Sequence, residues 1–281
     1  MYKRIIARLD IKGPNLVKGV HLEGLRVLGK PETFAKYYYE SGADELMYQD
    51  VVASLYERNS LNEIISKTAK EIFIPLTVGG GIRSIEDIKG VLRSGADKVS
   101  INTAVIKNPK LIQDAAKIFG SSTIVVSIEA IKQKDNTYFA FIDNGREFTG
   151  QEVISWAKKV VKMGAGEILI TSVDKEGTGD GCDLELLKSV SDAVSVPVIG
   201  HGGVGKKEDV KDAFVKGKID ALAIASIIHY DFISKHKADL ELDEGDNSFL
   251  KSGNSYSKII PTSIIKIKKY LDKNNILCRV N

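Results

Sequence analysis

At 281 residues with 43% hydrophobic content, the chain is long enough to bury a sizeable core and reads as one large α/β domain or two small ones. Its 40 Lys and Arg stand against 37 Asp and Glu, a net charge of +3, which excludes the strong basic field of a nucleic-acid or membrane-surface binder and leaves small anions as the better partner class. The two cysteines, Cys182 and Cys278, lack paired spacing and argue against a disulfide frame or a zinc site.

From Met1 to Asp10, charges flank an apolar run far too short for a signal-peptide core or a membrane span, so a cytoplasmic protein is expected. Short β-branched runs then alternate with amphipathic stretches. Strands are predicted over Arg4 to Leu9, Glu45 to Tyr48, Phe73 to Val78, Lys98 to Ile101, Thr123 to Ile128, Glu167 to Ile170, Pro197 to Ile199 and Ala221 to Ile224. Helices are predicted over Glu32 to Gly42, Leu61 to Glu71, Ile85 to Ser94, Pro109 to Ile118, Gln151 to Met163, Leu184 to Ala193, Lys207 to Lys216 and Thr262 to Lys273. This alternation predicts a (β/α)8 TIM barrel, with an open doubly wound sheet as the alternative. A polar segment over 235–257, acidic in its first half, reads as an insertion on the face where barrel loops vary with function.

The chain also repeats itself. Arg4 to Asp10 aligns with Thr123 to Glu129, Ser41 to Tyr48 with Met163 to Ile170, Gly80 to Asp87 with Gly202 to Asp209, and Val99 to Thr103 with Leu222 to Ser226, the second copy about 120 residues after the first. An open sheet has no reason to repeat its halves in this way. The expectation is one barrel spanning 1–281, with half-barrels over about 1–120 and 121–281 related by a pseudo-twofold axis.

Each half carries an acid at a strand end, a Gly-Gly turn, and a hydroxyl after a later strand. Val78 to Ile82 leaves an apolar strand and enters a helix, so that unhindered N–H groups and a helix N-terminus converge, a geometry suited to phosphate. Gly202 to Gly205 repeats it; Asn102 with Thr103, and Ser226, supply the polar groups. Asp10 and Glu129 end the first and fifth strands, opposite each other in a ring of eight, and are candidates for general acid and base between the two anion sites. Alternatively, each carboxylate caps a turn or pairs with a neighbour such as Arg8 or Lys18. Arg4, Glu45, Lys98 and Glu167 each begin a strand and should cluster at the N-terminal face, as a salt-bridged plug or as something functional. His21, His229 and His236 show no ligand spacing, and no metal or cofactor is expected.

Several strings are longer and more specific. Arg4-Ile-Ile-Ala-Arg-Leu-Asp-Ile-Lys12, Ile74-Pro-Leu-Thr-Val-Gly-Gly-Gly-Ile82, Gly95-Ala-Asp-Lys-Val-Ser-Ile-Asn102 and Thr171-Ser-Val-Asp-Lys-Glu-Gly-Thr178 resemble the cyclase subunit of imidazole glycerol phosphate synthase, HisF, from Met1 to about His229 and again in the last helix. The resemblance implies a barrel that receives ammonia from a class I glutaminase (HisH-like) on its N-terminal face and uses it at the opposite mouth. There ammonia would react with a bis-phosphate, phosphoribulosyl-formimino-aminoimidazole carboxamide ribonucleotide, giving imidazole glycerol phosphate and an aminoimidazole carboxamide ribonucleotide.

By position, the resemblance makes Asp10 a catalytic acid and Arg4, Glu45, Lys98 and Glu167 an ammonia gate. It places Gly81, Asn102 and Thr103 at one phosphate site, and Asp174, Gly177, Gly202, Gly203 and Ser226 at or beside the other. Lys18 and Thr171 join the candidate substrate contacts.

Departures gather at the mouth. Glu129 replaces an Asp, Arg8 a small Cys, Asn144 a Ser, and His201 a Ser, while Pro14-Asn15 alters the first loop. The strings from Ala7 to Lys18 and His21 to Gly29 look like HisF paralogues linked to glycosyl amidation in surface-polysaccharide pathways. For those, the implied role is ammonia delivery to a separate sugar amidotransferase.

Overall fold

The computed structural model describes residues 2–53, 61–236 and 258–280. In chain order its strands are β1 (Arg4–Lys12), β2 (Asn15–Val20), β3 (Glu23–Gly29), β4 (Glu45–Asp50), β5 (Leu76–Gly79), β6 (Lys98–Ile101), β7 (Ile124–Lys132), β8 (Tyr138–Ile142), β9 (Glu147–Glu152), β10 (Glu167–Ser172), β11 (Val198–His201) and β12 (Ala221–Ile224). Eight of them, β1, β4, β5, β6, β7, β10, β11 and β12, pair in parallel in that order, and β12 returns to β1. The sheet is a closed (β/α)8 barrel.

Strands buried on both faces need near-continuous apolar runs, which is how these segments read. Helices over Pro31–Glu40, Asn62–Ala69, Ile85–Arg93, Lys110–Phe119, Val153–Lys162, Leu184–Ala193, Lys207–Val215 and Ile264–Lys273 cover the outside. Their apolar stripes, with Phe34, Tyr38 and Trp156 among the largest buried side chains, make the main core against the outer strand face. A second, smaller cluster, Ile6, Met47, Val125, Leu169, Ile199, Ala221 and Ala223, fills the inside of the ring.

Local polar groups fix where the strands begin and the helices start. Asp44 accepts from the N–H of Ile5 at 2.7 Å, Asp97 from Leu76 at 2.8 Å and Asp220 from Val198 at 3.1 Å, so an Asp immediately before one strand anchors the start of its neighbour. At the two Gly-Gly turns, Asp87 takes the N–H groups of Arg83 and Ser84, and Asp209 takes those of Gly205 and Lys206. These are matched residues of the repeat, and each holds its turn against the first turn of the following helix. Glycine is required there: a Cβ on Gly80 would lie 2.3 Å from the carbonyl oxygen of Asp50, and one on Gly203 would lie 2.1 Å from that of Gly181, both at positive φ.

Two hairpins extend the predicted pattern. After β1 the chain forms β2 and β3, and after β7 it forms β8 and β9, each pair adding antiparallel strands at the same point of its half. The repeat therefore extends to the excursions. Two helices, Thr103–Lys107 and Ser226–Lys235, were also outside the predicted set. Phe73 precedes its strand rather than joining it, and is 83% exposed. Of the inserted segment over 235–257, residues 237–257 lie outside the described residues.

Candidate active site

Alternation along a strand puts Arg4, Ile6, Arg8 and Asp10 of β1 on one face, and the membership of Ile6 in the inner cluster makes that the inside face. The barrel interior is thereby layered, with charge at the bottom, hydrocarbon in the middle and polar groups at the top.

The four strand-opening charges meet at the bottom. Arg4 bonds Glu45 and lies 2.9 Å from Glu167, while Lys98 lies 3.2 Å from Glu45 and 3.0 Å from Glu167. Each cation touches both anions, so the ring is neutral and closed. Glu45 and Glu167 are buried, and their desolvation is offset only because each is held by two cations.

At the other end, a cavity of about 370 Å³ opens beyond the Gly80–Gly81 turn. It brings Gly81, Asn102 and Thr103 together with Glu129, and is lined also by Lys107, Asp143 and Asn144. Glu129 accepts from the N–H of Gly145 at 2.8 Å, which ties the carboxylate to the β8–β9 hairpin. Burial pushes its pKa up to about 7, against the opposing pull of the Gly145 N–H, Arg8 and Asn102. A carboxyl poised there both gives and takes protons near neutral pH.

Asp10 is not among the residues lining this cavity. Its Oδ1 accepts from Nε of Arg8 at 2.8 Å, both side chains being buried, while an Arg8 terminal nitrogen lies 3.4 Å from Thr171 Oγ1. Of the alternatives open for this acid, the structure places it in an ion pair with Arg8. Arg8 thus runs from the first barrel strand to the sixth, across the lumen.

The second Gly-Gly turn has matching backbone but little room. Gly177, Gly202, Gly203 and Ser226 do line a common crevice, yet its volume is only about 10 Å³. His201 occupies the space: buried, its Nδ1–H donates to the carbonyl of Ala223 at 2.9 Å. Burial first, then the charge of Arg8, lowers its pKa to about 3, so the ring is neutral. From above, the β2–β3 hairpin is fastened to the loop after β10. Lys18 pairs with Glu176 at 2.8 Å, the N–H of Leu22 donates to the other Glu176 oxygen at 2.9 Å, and the N–H of His21 donates to the Glu176 carbonyl at 3.0 Å.

Lys18 is therefore buried in an ion pair in this state, and Asp174, exposed, accepts from the N–H of Lys132 at 2.9 Å. Glu176 and Lys107 had not been singled out in the sequence. Their signals were weak, one acid in a loop and one lysine closing a short helix. Among the described residues no group of three or more His, Cys, Asp or Glu side chains is placed to hold a metal, and no helix is long and apolar enough to cross a membrane. Both thiols are free, and burial raises their pKa values above the ordinary thiol range.

Comparison with known proteins agrees with this architecture. A family model described as "Histidine biosynthesis protein" matches residues 4–234. A protein of Legionella pneumophila is 61% identical over 206 residues, covering 73% of this chain and 97% of that relative. The chain belongs to the HisF family.

Two more relatives extend the match: one from Alkaliphilus metalliredigens, 46% identical over 88% of this chain and 98% of its own length, and one from Methanocaldococcus jannaschii, 49% identical over 81% and 91%. All three carry the name "Imidazole glycerol phosphate synthase subunit HisF". The four charges that the resemblance implied as a gate meet at the bottom of the barrel, and Arg8, Glu129 and His201 lie towards its other end.

Proposed function

We propose that the chain is a cyclase subunit of the imidazole glycerol phosphate synthase type, which receives ammonia from a glutaminase and uses it on a phosphorylated ribonucleotide. One observation carries the reading: the inside of one barrel holds a closed ring of four paired charges at its base and, at the opposite end, a cavity with a carboxylate and a phosphate-type turn. Ammonia from a class I glutaminase (HisH-like) passes the ring, crosses the apolar layer of Ile6, Met47, Val125 and Leu169, and emerges at the mouth. The bis-phosphate ribonucleotide is held at one end by Gly81, Asn102 and Thr103. Its other phosphate reaches Gly203 and Ser226 once the Lys18–Glu176 fastening opens, and Lys18 is then free to meet an anion. Glu129 supplies and removes protons during ring closure, with Asp10 as its counterpart in the other half.

The glutaminase docks on the N-terminal face. Six of the exposed large apolar side chains, Tyr2, Phe73, Ile118, Val215, Leu277 and Val280, lie in segments leading into strand starts or in the C-terminal tail that pairs with Lys3. Strand starts are also where the ring of charges sits, and a partner is needed there to keep released ammonia from water.

A second reading is favoured by the mouth itself. The Arg8–Asp10 pair and the 10 Å³ crevice support a barrel that passes ammonia on rather than using it, as in a conduit that hands ammonia to a separate sugar amidotransferase. One assay separates the two. Purified protein given ammonium salt and the bis-phosphate ribonucleotide should turn it over without a partner, Asp10→Asn should abolish turnover, and Glu129→Asp should preserve or raise it. A wild type inert with ammonium, with activity gained on Glu129→Asp, would make the chain a conduit.

A further inference from the structure

Three buried polar atoms at the top of the lumen, Gln49 Oε1, Ser100 Oγ and Asn102 Oδ1, have no hydrogen-bond partner among the described residues. All three residues line the cavity that holds Glu129. They come from neighbouring parts of the ring, Gln49 from β4 and Ser100 from β6, with Asn102 just beyond β6. Their convergence is visible at Gly79 of β5, where a Cβ would lie 2.3 Å from Gln49 Oε1 and 3.0 Å from the Ser100 Cβ. A side chain at position 79 would displace the Gln49 amide oxygen.

An unmade hydrogen bond on a buried acceptor costs roughly 1–3 kcal/mol, so three acceptors lining one cavity favour a ligand or water that donates to them. The asymmetry of the lumen says where that donor arrives. Arg8 reaches across to Thr171 and, with His201, occupies the side formed by β1, β10 and β11. The opposite side is lined by small groups, Gly79, Ser100 and Ser127, and Ser100 and Ser127 continue into the cavity beside Glu129.

We propose that Gln49, Ser100 and Asn102 form a subsite for ammonia where the lumen opens beside Glu129. This rests on the reading of the barrel as an ammonia conduit. Ammonia carries three N–H bonds and one lone pair; with its N–H groups on the three oxygens, the lone pair is left for an electrophile bound in the cavity. Asn102 also donates through Nδ2 to the Phe141 carbonyl at 3.2 Å, which fixes the amide so that Oδ1 is the atom left over. The phosphate turn, Glu129 and the nitrogen subsite thereby share one cavity, and the half of the mouth closed by His201 takes no part in receiving nitrogen.

Gln49→Leu and Ser100→Ala, of similar or smaller volume, remove acceptors without adding charge. In the partner-free assay each should raise KM for ammonium about tenfold, the effect of one lost hydrogen bond, and leave KM for the bis-phosphate unchanged. An unchanged ammonium KM in both variants would overturn the subsite while the cyclase reading stood. Independently of turnover, the relaxation of 15N-ammonium should be faster with wild-type protein than with Gln49→Leu at equal ionic strength. If the wild type proves inert as a cyclase yet this difference persists, the subsite stands and the cyclase reading falls. Equal relaxation with both proteins would overturn the subsite. Circular dichroism of each variant checks that the barrel is intact.

Discussion

Replacing Glu129 with Gln keeps the size of the side chain and the acceptor for the Gly145 N–H, but removes the charge. Burial holds the carboxyl at a pKa of about 7 instead of its ordinary 4.5, and at ~1.4 kcal/mol per pH unit its ionisation costs the folded state on the order of 3 kcal/mol. The side chain keeps some contact with solvent through the cavity, so about 2 kcal/mol is the expected observable. Below about pH 4.5 the group is protonated whether the chain is folded or not, and this stability is fully present. Between 4.5 and about 7 the unfolded chain releases the proton and the folded one keeps it, so stability falls as pH rises, and levels off above. Urea unfolding of wild type and Glu129→Gln at pH 5 and pH 9 measures the effect as a change in the difference between the two proteins. The Gln variant should gain about 2 kcal/mol on the wild type between those conditions. A difference that is the same at both pH values, or a carboxyl resonance of Glu129 titrating near 4.5, would refute the account of a desolvated acid, and with it the assignment of Glu129 as a proton carrier at neutral pH.

Other outcomes follow from the same contacts. Lys98→Ala leaves Glu45 and Glu167 sharing only Arg4, and should cost about 3 kcal/mol in chemical denaturation while uncoupling glutamine hydrolysis from ammonia use in the complex; undiminished glutamine-dependent activity would end the gate reading. Lys18→Met strands Glu176 and should destabilise by roughly 3–5 kcal/mol, whereas the Lys18→Met, Glu176→Leu double variant should recover most of that loss; equal losses in single and double variants would mean that the pair is not what fastens the hairpin. His201→Ser should enlarge the second crevice, so that crystals grown in phosphate hold the anion at both Gly-Gly turns where the wild type holds it at the first; a wild type already occupied at both would show that His201 does not control the site.

Much of the frame was legible in the sequence because it depends on local chemistry repeated in order. β-branched runs marked the eight ring strands, and the two Gly-Gly turns marked where a strand hands over to a helix, whereas the anchoring roles of Asp44, Asp97 and Asp220 and of the turn acids Asp87 and Asp209 came from the structure. The cluster of four strand-opening charges was legible too, since a charge opening an otherwise apolar buried strand is costly without a partner and the fold brings strand starts together. The hairpins were not. β9 is largely exposed and polar and β3 mixes glycine, charge and apolar residues, and these hairpins become strands because the overhanging ends of β1 and β7 offer β2 and β8 a template.

What the sequence could not decide is how the two halves differ. Their Gly-Gly motifs are equivalent as strings, and the expectation of two equal anion sites rested on that equivalence. Whether a turn opens onto a cavity or a crevice depends on side chains far apart in the chain, Lys18 on Glu176 across 158 residues and Arg8 on Thr171 across 163. The pKa of Glu129 is decided in the same way, by what surrounds the carboxylate rather than by its neighbours in sequence. Sequence determined the ring, its polarity and the charges at its base, because each follows from residue type and period; only the tertiary structure determined which half of the mouth is open, because that is a matter of volume left over after packing.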